Sequence, residues 1–138
     1  MRIAWIEDDI PIIKSVMYPL EHEGATIDKF TSISDAKSSV DEILKADLIV
    51  LDIILPPGPE AAESNYSGRD LLHQWRSEYQ KMPPVLVLTV VTNPQILAEL
   101  QELKVADIIN KPVLPSVLKA RIHEVLAAKS QPVMADTA

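Results

Sequence analysis

Four short stretches of this 138-residue chain carry side chains whose types could act together: Glu7-Asp8-Asp9, Asp52, Thr89 and Lys111. Each ends or directly follows an apolar run, namely Ile3 to Ile6, Asp47 to Leu51, Val85 to Thr89 and Asp107 to Ile109. Carboxylates gathered in a partly desolvated place repel one another, and a hard divalent cation with a preference for oxygen ligands relieves that repulsion. Mg2+ (or Mn2+) typically takes one or two carboxylates, keeps several waters and leaves room for a phosphoryl oxygen. A carboxylate such as Asp52 can then attack phosphorus and become an aspartyl-phosphate. The cation, the Thr89 hydroxyl and the Lys111 ammonium would share the three equatorial oxygens, because phosphoryl transfer is catalysed mainly by positioning and charge neutralisation.

Such convergence needs a scaffold that brings strand ends to one edge. Five runs read as strands: Ile3 to Ile6, Ala25 to Phe30, Asp47 to Leu51, Val85 to Thr89 and Asp107 to Ile109. Between them, Pro11 to Glu23, Ser34 to Lys45, Ser67 to Tyr79, Pro94 to Lys104 and Leu114 to Ala128 have helical spacing. Gly24 after His22-Glu23 and Asn93-Pro94 are stop and start signals, whereas Pro19 inside the first helical stretch predicts an early end. Strands joined by helical crossovers run parallel, and near-continuous apolar strands need cover on both faces, so the expected fold is a three-layer, doubly wound α/β sandwich. Ala25 to Phe30 alternates with Asp28 and Lys29 and suits a sheet edge. In such sheets the functional crevice lies beyond the carboxyl ends of the strands.

Composition narrows the classes. The length suits one domain, expected over residues 1–128, with an extended loop at about 56–66 and a flexible tail at 129–138. Hydrophobic residues make up 47% and charged residues 24%, too apolar a balance for a disordered chain. A net charge of −7 repels a phosphate backbone, which argues against direct nucleic-acid binding. No cysteine is present, so disulfides, thiolate zinc sites and thiol nucleophiles are excluded. Acids arrive at Glu7, too early for a signal peptide's apolar segment, and no apolar run approaches the roughly 20 residues of a membrane helix. A cytoplasmic protein is expected.

The chain from about residue 2 to 128 resembles the receiver domains of two-component response regulators. Glu7 and Asp8 match the family's acidic pair, Asp52 its phospho-acceptor, Thr89 its switch hydroxyl, and Lys111-Pro112 its Lys-Pro. Taken singly these are ordinary: an acidic helix start, a strand threonine, a surface lysine. All five in order, each at the end of a predicted strand, are a specific signal. The resemblance implies a flavodoxin-like sheet of order 2-1-3-4-5. It further implies a cation held by Asp8, Asp52 and the Ile54 backbone carbonyl, with Glu7 acting largely through water, and a cis Lys111-Pro112 bond that aims the lysine inward. The implied activity is that of a signalling switch rather than an enzyme. Asp52 would take a phosphoryl group from a sensor histidine kinase or phosphotransfer protein and lose it slowly by self-dephosphorylation. A downstream protein target, or a second copy in a homodimer, would read the face formed by the fourth helix, fifth strand and fifth helix, about Pro94 to Ala128.

Three departures from the family pattern stand out. Ile108 occupies the position, three before the lysine, where an aromatic ring is frequent. Val90 follows the hydroxyl where Ala or Gly is common. Gly68 follows Asp52 by sixteen residues, about twice the usual spacing, and marks the proline-rich stretch from Pro56 to Tyr66 as an insertion. Two other functions compete. A small aspartate-nucleophile phosphatase of the haloacid-dehalogenase-like kind has a second aspartate two residues on, where this chain has Ile54. A flavin or nucleotide carrier has a glycine-rich loop after the first strand, where this chain has Glu7 and Asp8. His22, His73 and His123 lie on three predicted helices without paired acids and read as solvated. Trp5, Trp75 and the Leu97, Leu100, Leu103 face read as core packing.

Overall fold

The structure, a computed structural model, describes residues 1–55 and 66–130. The expected loop, apart from Tyr66, and the tail beyond Ser130 lie outside the described residues. The order of elements is β1 (Arg2–Ile6), α1 (Ile10–His22), β2 (Thr26–Phe30), α2 (Ile33–Ser38), α3 (Val40–Ile43), β3 (Leu48–Leu51), α4 (Ser67–Glu78), β4 (Val85–Thr89), α5 (Pro94–Glu102), β5 (Asp107–Asn110) and α6 (Pro115–Ser130).

The five strands form one sheet of order β2-β1-β3-β4-β5 with every pairing parallel, as expected. Successive strand residues point to opposite faces, and this period of two divides the interior. Ile3, Trp5, Leu48, Val50, Leu86 and Leu88 face one side, where Ile13, Val16 and Leu20 of α1 and Leu118, Ile122 and Val125 of α6 cover them. Ala4, Ile6, Ile49, Leu51, Val85 and Val87 face the other, beneath residues of α2, α3, α4 and α5 that include Ile33, Ile43, Leu71, Trp75 and Leu100. Trp5 and Trp75 are core residues. Among the described residues no helix is long and apolar enough to cross a membrane.

Several boundaries differ from the sequence reading, each for a local reason. Helix α1 continues through Pro19 to His22. Pro19 is exposed while Leu20 is fully buried, so the missing backbone donor lies on the solvent side and packing carries the last turn. The Leu20 carbonyl then accepts from Glu23 and Ala25, and Gly24, at φ +94, supplies the left-handed residue that ends the helix. The stretch expected as one helix from Ser34 to Lys45 is two. Ser39, at φ −115 and ψ 20, leaves helical geometry, and the break lets Ile33 and Ala36 on one side of it and Ile43 on the other all reach the core. The first of these helices is capped by Ser32, whose Oγ accepts from Asp35 N at 3.0 Å while Asp35 Oδ2 accepts from Thr31 N at 3.1 Å.

Helix α5 starts at Pro94 behind the predicted Asn93 cap, whose Oδ1 accepts from Gln95 N at 2.9 Å. It stops at Glu102, because Lys104 adopts φ +61 and Arg76 of α4 donates to the carbonyls of Leu103 and Lys104. Its buried face is Ile96 and Leu100, with Leu97 and Leu103 only partly covered. Helix α6 extends two residues into the expected tail, to Ser130. One histidine expectation is corrected. Nε2 of His123 lies 2.8 Å from Oε1 of Glu23, which also pairs with Lys119 at 2.8 Å, so this histidine has an acid partner, brought from α1's end to α6 by the fold.

Candidate functional site

The ends of β1, β3, β4 and β5 bring the chemistry-bearing residues together through the sheet ladder itself. Glu7 N donates to Phe30 O, Asp52 N to Ile6 O and Lys111 N to Thr89 O, at 2.8–2.9 Å. Each backbone is thus fixed to a neighbouring strand just where its side chain leaves the sheet. Glu7 and Thr89 are fully buried and Asp52 is 5% exposed, whereas Asp8 faces solvent.

Lys111 Nζ reaches across this edge to both buried acids, 2.7 Å from Glu7 Oε1 and 3.1 Å from Asp52 Oδ2. The Asp52 contact is a hydrogen bond. The closer Glu7 contact is an ion pair, and among the described residues Glu7 Oε1 is a buried oxygen without a full hydrogen bond. The other oxygens are oriented by the backbone: Glu7 Oε2 accepts from Asp9 N and Asp52 Oδ1 from Ile54 N, both at 3.2 Å. Burial pushes the Glu7 carboxyl up to about 8, and its contact with Asp52 adds to this, against the opposing pull of Lys111. For Lys111, burial alone would lower the ammonium, but its pairing with Glu7 and Asp52 outweighs that and raises it.

Carboxylate oxygens of Glu7, Asp8 and Asp52 lie within 4.8 Å of one another. An oxygen-only donor set of three acids, one oxygen of it buried and without a hydrogen bond, suits a hard divalent cation. Thr89 ends β4 next to this edge, and its carbonyl takes the Lys111 N–H. Its hydroxyl oxygen accepts from Val91 N at 3.2 Å. The Lys111-Pro112 bond is cis, as the resemblance implied. Ile54 and Val90 are 46% and 56% exposed beside the site, and Ile108 is partly buried against the core.

Three contributions escaped the sequence reading. Gly68, noticed only for its spacing, lies against Asp52 so closely that a Cβ there would sit 2.1 Å from the Asp52 carbonyl oxygen. Ser67 is buried, and its Oγ accepts from Leu55 N at 3.0 Å and donates to Leu55 O at 2.8 Å. The two residues that flank the insertion are therefore held directly together. The glycine keeps its place beside Asp52 despite the longer spacing. Asn110, next to Lys111, likewise reaches over to donate to Val91 O at 2.8 Å. Such long-range bonds from common residue types leave no local sequence signal.

The response regulator receiver domain family matches residues 3–123 of the chain. A curated relative, the transcriptional regulatory protein QseB of Escherichia coli O157:H7, is 30% identical over 126 residues. That match takes in 91% of this chain, which spans about half the length of the relative, 53%. Among solved structures, a two-component response regulator from Clostridium difficile superposes with a TM-score of 0.76 at 23% identity, covering 95% of this chain and 99% of that one. The BeF3-activated N-terminal receiver domain of Klebsiella pneumoniae RstA superposes with a TM-score of 0.69 at 25% identity, covering 91% and 98%. With the sheet order, the cis bond and the convergent acids and lysine in agreement, the chain belongs to the response regulator receiver domain family.

Proposed function

We propose that Asp52 is the phospho-acceptor of this receiver domain and that Glu7, Asp8, Asp52 and the backbone carbonyl of Ile54 hold Mg2+ (or Mn2+) beside it. The cation supplies charge neutralisation at the phosphoryl oxygens and orientation of the incoming group. The donor is a phosphohistidine of a sensor histidine kinase or phosphotransfer protein. An Asp52 carboxylate oxygen forms the new bond to phosphorus, the bond from phosphorus to the donor nitrogen breaks, and the imidazole leaves. Ile54 N holds Oδ1 and Lys111 holds Oδ2, so the carboxylate is oriented before the donor arrives. Lys111 then exchanges its carboxylate contact for a phosphoryl oxygen, and the Thr89 hydroxyl donates to another.

The observation that carries this reading is the Lys111 bridge between Asp52 and Glu7, set against the three-acid cluster. Phosphorylation places a charge near −2 where a carboxylate carried −1, and a tenfold population shift between two conformations needs only about 1.4 kcal/mol of differential stabilisation. The surface that reports the shift is the α5, β5 and α6 face, toward a downstream protein or a second copy of the chain. The curated relative's name points to transcription as the output it serves. Incubation with Mg2+ and a small phosphodonor such as phosphoramidate tests the assignment. Phosphoryl labelling of the wild type that is lost in Asp52→Asn is expected, and equal labelling of both proteins rejects it.

A further inference from the structure

We propose that Ser67 is a positioning residue for the acceptor carboxylate, acting through Leu55 and Ile54, an inference that rests on the reading of Asp52 as the acceptor. The first turn of α4 grips the segment after β3 at successive points. Gly68 N donates to Ile53 O at 2.8 Å, and the Gly68 Cα lies against the Asp52 carbonyl. Ser67 Oγ both accepts from and donates to the backbone of Leu55. Ile54 is thereby held between two clamped neighbours, and its N–H is the donor to Asp52 Oδ1 at 3.2 Å.

A residue that served the helix alone would use its hydroxyl on the helix's own first-turn amides. Ser67 instead spends both its donor and an acceptor on one residue twelve positions earlier, at the far flank of the insertion, in a place only 5% exposed. Without that hydroxyl, the backbone N–H and C=O of Leu55 lose the two bonds that tie them to α4, and Ile54 is held less firmly on that side. The amide that aims Oδ1 then samples more positions, and fewer of them present the carboxylate in line with an incoming phosphorus.

The test compares phosphoramidate labelling of the full chain, at saturating Mg2+, for the wild type, Ser67→Ala, Ser67→Thr and Ile43→Val. The last is a core change on α3, away from the site, that lowers stability without touching this clamp. About tenfold slower labelling is expected for Ser67→Ala, which corresponds to about 1.4 kcal/mol in the barrier, with recovery in Ser67→Thr and wild-type rates in Ile43→Val. Should Ser67→Ala lose cooperative unfolding, Ser67→Cys, with its weaker donor and acceptor, is measured against the same criteria. An unlabelled wild type would sink the acceptor reading itself. A labelled wild type with an equally fast Ser67→Ala overturns the role of Ser67 alone, as does a matching slowdown in Ile43→Val.

Discussion

The Lys111 ammonium lies 2.7 Å from Oε1 of the fully buried Glu7 and 3.1 Å from Oδ2 of Asp52, and is the one positive charge that faces both acids among the described residues. Removing it takes a positive charge and a hydrogen-bond donor away from two buried acids at once. Lys111→Met should therefore destabilise the protein by about 1–3 kcal/mol in the presence of a chelator, since buried groups are left without partners. A divalent cation at the three acids can replace the lost positive charge, so Mg2+ should recover more stability in the variant than in the wild type. Urea unfolding with EDTA and with Mg2+ reads both, and equal midpoints in EDTA would contradict the pairing.

Glu7 also sets a dependence on pH. Its carboxyl is raised from 4.5 to about 8 in the folded protein, so the folded state keeps a proton that the unfolded chain has released. The associated stability is fully present below about pH 4.5 and is lost as pH rises toward about 8, by at most about 1.4 kcal/mol per pH unit. Thermal melts in EDTA should show this decline in the wild type and a flatter profile in Glu7→Gln. Cation uptake favours the ionised acid and expels the proton, so Mg2+ affinity should climb over the same interval. A wild-type profile parallel to that of Glu7→Gln would remove Glu7 as the cause.

Thr89 is a hydroxyl with a structural bond already made. Its Oγ1 takes the Val91 N–H in a fully buried position, and Thr89→Val, similar in shape, leaves that amide without an acceptor. A loss of about 1–3 kcal/mol is expected. Thr89→Ser keeps the bond and should lose only about 1 kcal/mol for the missing methyl. Beryllofluoride with Mg2+, as a stand-in for the phosphoryl group, should bind more weakly to Thr89→Val than to Thr89→Ser. Equal binding would take the hydroxyl out of the site.

Two glycines invite a paired experiment because they are needed for different reasons. Gly24 has φ +94 with no atom within 4 Å of an added Cβ, so Gly24→Ala meets only the left-handed backbone penalty of about 1–2 kcal/mol. At Gly68 an added Cβ would lie 2.1 Å from Asp52 O and 2.7 Å from Ile53 Cα, both backbone atoms that cannot swing aside. Gly68→Ala should cost about 1–3 kcal/mol or more and should also weaken Mg2+ binding, which Gly24→Ala should leave unchanged. Calorimetric titration with Mg2+ separates the two.

The parts of this molecule legible in its sequence are those written locally. Leu48 to Leu51 and Val85 to Thr89 are apolar throughout because both faces are covered, and that run alone marks central strands. Asp52 and Thr89 stand where those runs end, so a parallel sheet already brings them to one edge. The break at Ser39 and the persistence of α1 past Pro19 were not legible, because each is decided by which side chains reach the core and not by propensity. The Ser67 to Leu55 clamp, the Asn110 to Val91 bond and the Glu23 to His123 pair join distant positions through residues common on any surface.

The all-parallel pairing has a consequence for how the chain acquires its shape. No two neighbouring strands can zip from a tight turn: Ile49 must find Val85 and Leu86 must find Asp107 across an intervening helix, and Ile3 must find Leu48 across three helices and a strand. Assembly is therefore dominated by distant partners and belongs to the slower end of small-domain folding. The added residues between Leu55 and Ser67 lengthen only the search between β3 and β4. Because closure entropy grows with the logarithm of length, doubling that connection would cost only about 0.6 kcal/mol.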